Sequence, residues 1–141
     1  MDRKASAVWK GGLKDGKGEF SAPSGVFSHV PYSFKTRFED APGTNPEELI
    51  AAAHAACFSM ALSAQLGAAN LTPESINTTA NLKMEKLDAG WAITSIHLDV
   101  NAKIPDADEA GFQKAAENAK AGCPVSKVLN AKITMSARLE H

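Results

Sequence analysis

Cys57 and Cys123 are the only two cysteines in the 141 residues, and neither stands where a space-filling thiol is the obvious choice. Cys57 lies inside an alanine-rich helical run, A-A-A-H-A-A-C-F-S-M-A, and Cys123 directly precedes Pro124 at the expected start of another helix. A thiol is a nucleophile as its thiolate. The partial positive charge of a helix N-terminus favours that anion at Cys123, whereas Cys57, in mid-helix, needs a nearby cation. From these residues alone three readings stay open: one disulfide staple, two unrelated buried thiols, or a redox pair gathered by the fold.

Other chemistries have weaker support. The four histidines and two cysteines are scattered, with no C-x-x-C or H-x-x-x-H pair to hold a metal. His54 sits one turn before Cys57 on the same helical face. It can be a base, but a core or interface histidine is the simpler reading. A Cys57–Cys123–His54 metal site is a third, weaker possibility. Formal net charge is −1, which gives no positive field for nucleic acid or anionic lipid. No charged residue occurs from Leu49 to Asn70, but the stretch is mostly alanine and lacks flanking basic clusters, so a buried helix is expected rather than a membrane span. Met-Asp-Arg-Lys runs straight into a strand-like segment, no signal peptide is expected, and a cytoplasmic address follows. No function is placed on the terminal Leu139-Glu140-His141.

The elements that must position these groups are legible in outline. Strands are expected at 4–10 and 18–22, joined by the turn residues Asp15-Gly16-Lys17-Gly18, and a third at 30–36. Asn45-Pro46-Glu47-Glu48 is a helix start, with Asn45 as N-cap, Pro46 at the first position and Glu48 completing a capping-box pattern. That helix runs to about Gly67 and is apolar nearly all round, so a partner subunit is the simplest cover for it. Long strands follow at 76–87 and 91–104; in the second, Ile96, Leu98, Val100, Ala102 and Ile104 share one face. Asp106 is the expected cap of a helix over 107–121. A short helix follows from Pro124 to about Asn130, then a strand with Ile133, Met135, Ala137 and Leu139 on one face. The expected fold is a single α+β domain over 1–141, antiparallel sheets wrapped around a long buried central helix.

T-R-F at 36–38, G-T-N-P-E-E-L-I-A-A-A-H-A-A-C-F-S-M-A-L-S at 43–63 and A-G-C-P-V-S-K at 121–127 closely resemble the OsmC (osmotically inducible protein C) family, related to the organic hydroperoxide resistance proteins. The resemblance spans essentially the whole chain. It implies an intertwined homodimer that reduces organic hydroperoxides and hydrogen peroxide without a cofactor or metal. By the same resemblance Cys57 is the peroxide-attacking cysteine and Cys123 the resolving one. Arg37 is the active-site arginine, and the glutamate is Glu47, with Glu48 the weaker candidate. This reverses the helix-dipole ranking of the two thiols, and Arg37 is then the missing cation. The implied reductant is an external thiol, a dihydrolipoyl protein or a thioredoxin-like one. Phe38, Phe58 and Met60 are candidates to shape a site for bulky peroxides.

Glu47 and Cys57 lie ten residues apart on one helix, about 15 Å along its axis. They cannot meet within a straight helix, so if both serve one site the helix must start with a bend or the glutamate must come from a second subunit. Composite sites at a dimer interface are expected. The competing class is a non-catalytic small-molecule-binding or scaffold domain whose cysteines only fill space.

Overall fold

A computed structural model describes residues 1–141. The chain forms two compact units, Met1–Leu49 and Ile50–His141.

In the first unit, β1 (Ser6–Lys10), β2 (Lys17–Ser21) and β3 (Val30–Tyr32) form an antiparallel three-stranded sheet in that order. Gly18 sits in β2 opposite Trp9, and a Cβ there would stand 2.6 Å from the rings of Trp9 and Tyr32, so only glycine fits. The expected third strand ends early. Ser33 caps a short helix, α1 (Phe34–Phe38), through a reciprocal pair in which the Thr36 amide donates to Ser33 Oγ and the Ser33 amide to Thr36 Oγ1. That capping box overrides the strand pattern around Tyr32 and Phe34.

The chain passes to the second unit along α2 (Pro46–Ala68). Asn45 caps it, with Oδ1 accepting from the Glu48 amide at 2.8 Å. The Glu48 carboxylate accepts from the Thr44 hydroxyl at 2.6 Å, so the expected reciprocal box gives way to this Thr44 contact. By length and composition α2 could cross a membrane. Its second-unit part instead sends one stripe, His54, Phe58, Leu62 and Leu66, into a core, and only that stripe is buried in the single chain. The opposite face, with Ala52, Ala53, Ala56, Met60, Ser63 and Ala64, is exposed in the single chain, and it is the face for which the sequence calls on a partner subunit.

β4 (Ser75–Leu87) and β5 (Gly90–Lys103) pair antiparallel, but β5 and β6 (Lys132–Glu140) run parallel. The expectation of purely antiparallel sheets is therefore wrong for the second sheet. The helices between β5 and β6 make the crossover that a parallel pair needs. Ile96, Leu98, Val100, Ala102 and Ile104 are fully buried together with Phe58, Leu62 and Phe112. Each of these side chains larger than alanine contributes roughly 1.5–3 kcal/mol on leaving water. Asp108, not Asp106, caps α3 (Glu109–Gly122), its carboxylate accepting from the Gly111 amide. Asp106 has φ +65 and forms part of the turn before that cap. Cys123 then ends α3 and opens α4 (Pro124–Val128).

Candidate active site

Within the second unit α2 and α4 bring together both thiols. The Cys123 sulfur donates to the Cys57 sulfur at 2.8 Å, and neither cysteine is in a disulfide. Cys57 is half-buried and Cys123 fully buried. One turn along each helix a second pair meets: His54 Nε2 lies 2.8 Å from Ser126 Oγ, and both side chains are buried. Pro124 fixes the first position of α4, where its missing N–H costs nothing.

Burial pushes the Cys57 thiol above its ordinary value, and the hydrogen bond from Cys123 adds to that. The Val125 amide, in the first turn of α4, bonds to the Cys57 sulfur and acts in the opposite direction. The helix-end amide that sequence assigned to Cys123 thus serves Cys57. Burial holds His54 below the usual imidazole range, so the ring is neutral at physiological pH. His54 bonds to Ser126 rather than to Cys57, and its Nδ1 is buried with no hydrogen-bond partner.

In the first unit Arg37 and Glu47 form a two-pronged ion pair. Arg37 Nη2 donates to Glu47 Oε1 at 2.8 Å, and Nε to Oε1 at 3.0 Å and to Oε2 at 3.3 Å. Such a fork fixes the guanidinium plane as well as its charge. Asn45 Nδ2 donates to the Thr36 carbonyl at 3.0 Å, which ties α1 to the start of α2 and so Arg37 to Glu47. Glu48 faces Thr44 instead. Arg37 also lies over the Phe38 ring, 5.1 Å from its centroid. Beside it Trp9, Leu13, Tyr32, Phe34 and Phe38 line a pocket of about 210 Å³. Of the aromatic and sulfur neighbours expected to shape a site, Phe38 lines this pocket, Phe58 is core and Met60 is exposed.

A family model described as OsmC-like protein matches residues 38–138, which include both cysteines. The chain belongs to the OsmC family. It is 54% identical to Peroxiredoxin OsmC of Escherichia coli (strain K12) over 140 residues, 99% of this chain and 98% of that one. It is 31% identical to the organic hydroperoxide resistance protein OhrB of Bacillus subtilis (strain 168), covering 87% and 89% of the two chains. Among solved structures, an OsmC-like protein from Vibrio cholerae superposes with a TM-score of 0.77 at 14% identity over 97% of this chain and 99% of that one. The crystal structure of Bacillus subtilis OhrB gives 0.71 at 23% identity over 96% and 98%. The fold is the α+β arrangement of the OsmC family, two small sheets and a long helix.

Two residues of this OsmC site escaped the sequence reading as functional candidates. Val125 and Ser126 are unremarkable as types, but both fall within the C-P-V-S-K segment that carries the family resemblance. A shared offset was available as a signal: His54 stands three before Cys57, and Ser126 three after Cys123. Two such pairs meet as successive rungs where helices run antiparallel.

Proposed function

We propose that this protein is a thiol-dependent hydroperoxide reductase in which Cys57 is oxidised and Cys123 resolves it. The observation that carries the reading is the 2.8 Å approach of two free sulfurs 66 residues apart, one of them partly open to solvent. The curated names of its relatives, a peroxiredoxin and organic hydroperoxide resistance proteins, support the substrate class.

The Cys57 thiol gives up its proton, and its thiolate attacks the terminal oxygen of R–O–O–H. The O–O bond breaks to leave Cys57 sulfenic acid and the alkoxide R–O⁻, and the released proton returns to that alkoxide to give the alcohol R–OH. Cys123 attacks the sulfenic sulfur, its proton leaves with the hydroxyl as water, and a Cys57–Cys123 disulfide forms. Two equivalents of an external thiol return both cysteines to the reduced state and leave as a disulfide. Full ionisation of Cys57 gains only about thirtyfold at neutral pH over an ordinary thiol of pKa about 8.5. Most of the rate must come from holding the peroxide and stabilising charge on the departing oxygen. Arg37 suits that task, since it stays charged and Glu47 holds its plane.

The homodimer belongs to this reading. The small, uncharged, exposed face of α2 is what a second copy would cover. Glu47 and Cys57 are about 15 Å apart along one uninterrupted helix. We therefore place Arg37 and Glu47 of one chain beside Cys57 and Cys123 of its partner, with each chain a single domain over 1–141. A reduced thiol pair suits a cytosolic address and a thiol reductant of the dihydrolipoyl or thioredoxin-like type. The test is peroxide consumption by Cys57→Ser in the presence of a dithiol: activity unchanged from the unsubstituted protein ends the proposal.

A further inference from the structure

We propose that His54 and Ser126 form a clamp that fixes the register of α4 against α2 and so positions Cys123 to resolve oxidised Cys57. The inference rests on the peroxidase reading above and adds a task for two residues that reading leaves idle. Both are positioning residues: neither is bonded to a reacting sulfur.

Four observations carry it. First, α4 is a single turn and a half, Pro124–Val128, too short to hold itself in place. Its position depends on what its side chains grip. Second, beside the Val125 amide's bond to the Cys57 sulfur, two side-chain rungs join α4 to α2, Cys57 with Cys123 and His54 with Ser126, each at 2.8 Å. Of these contacts only the His54–Ser126 rung does not involve Cys57. Oxidation changes the first rung, since Cys57 gains an oxygen and the sulfur–sulfur hydrogen bond is lost. The second rung is chemically inert throughout and stays. Third, the rungs are three residues apart, about 4.5 Å along either helix. A slip of that size would carry Cys123 well beyond the roughly 2.05 Å sulfur–sulfur bond it has to form.

Fourth, the pair is a poor choice for stability alone. His54 Nδ1 is buried without a partner. A buried polar atom left unpaired is destabilising, and two apolar groups of similar shape would be neutral or better. Burial keeps the His54 ring uncharged, so no ion-pair attraction offsets this. What the hydrogen bond does supply is direction: one oxygen must meet one nitrogen, which an apolar contact does not demand.

The experiment compares the unsubstituted protein with Ser126→Ala and with the double variant His54→Leu/Ser126→Ala, each reduced and mixed with one equivalent of tert-butyl hydroperoxide. Dimedone trapping follows the sulfenic acid, mass spectrometry follows the disulfide, and thermal unfolding follows the fold. The clamp predicts that disulfide formation slows by about tenfold or more relative to sulfenic acid formation, as small misplacements of reacting groups do. It also predicts that the double variant melts no lower than the unsubstituted protein, which a merely structural pair would not allow. Resolution at the original rate in either folded variant, or an equal slowing of both steps, overturns the clamp alone. Failure of the unsubstituted protein to consume the peroxide, with neither sulfenic acid nor disulfide formed, overturns the peroxidase reading and the clamp with it.

Discussion

Cys57 and Cys123 hold their sulfurs 2.8 Å apart through the pairing of a long helix with a short one, so bond formation needs less than 1 Å of further approach. The two thiols are not equivalent. Cys57 is reachable from solvent, and Cys123 is wholly enclosed. This asymmetry supports the proposed division of labour, in which Cys57 meets the peroxide and Cys123 resolves it.

Cys57→Ser is expected to abolish turnover. Cys123→Ser is expected to consume one equivalent of peroxide per chain and then stall, because the sulfenic acid has no partner. Titration of peroxide consumed per chain separates the two variants.

The Arg37–Glu47 fork predicts a shared defect. Arg37→Ala should lower kcat/KM by about 10²–10³-fold, the usual loss for one charge-stabilising donor. Arg37→Lys should not restore it, since a point charge lacks the two-pronged geometry. Glu47→Gln should cost less but in the same step, while Glu48→Gln, whose carboxylate meets only Thr44, should change the rate little. Steady-state kinetics with an organic hydroperoxide checks all four.

The composite arrangement is tested by mixing Arg37→Ala with Cys57→Ser. If each site draws on two chains, a mixed dimer contains one site with both lesions and one intact site, and activity returns. If each site lies within one chain, both remain defective and nothing is recovered. Activity measured after unfolding and refolding the mixture gives the result.

The pH dependence of stability follows from His54. Its pKa is lowered in the folded state by burial, so the folded protein binds that proton less tightly than the unfolded chain does. The stability this represents is fully present above the unfolded value of about 6.5 and is lost as pH falls toward the folded pKa. Denaturant unfolding between about pH 7 and pH 5 should show the loss, and His54→Leu should flatten that part of the profile.

Much of the scaffold could be read directly from the chain. The strict alternation from Ile96 to Ile104 placed β5 because one face of it is buried, and Asn45-Pro46 marked the start of α2 through cap chemistry that is local. What stayed hidden depends on contacts distant in sequence. The parallel pairing of β6 with β5 is decided by the crossover, which no property of Lys132–Glu140 announces. Tyr32 and Phe34 read together as one strand over 30–36, and the helix that instead begins at Phe34 rests on the Ser33–Thr36 reciprocal bond. At the site, the cysteines and the Arg37–Glu47 pair were named in advance by family likeness, but Ser126 was not. Its partner His54 is 72 residues away, and only folding makes the two neighbours.

The most direct measurement is the product of a single turnover. Reduced protein mixed with one equivalent of an organic hydroperoxide, quenched by alkylation and mapped by mass spectrometry, should lose both free thiols and yield one intramolecular Cys57–Cys123 link per chain. Peroxide left unconsumed, or consumed while both thiols remain free, would contradict the account.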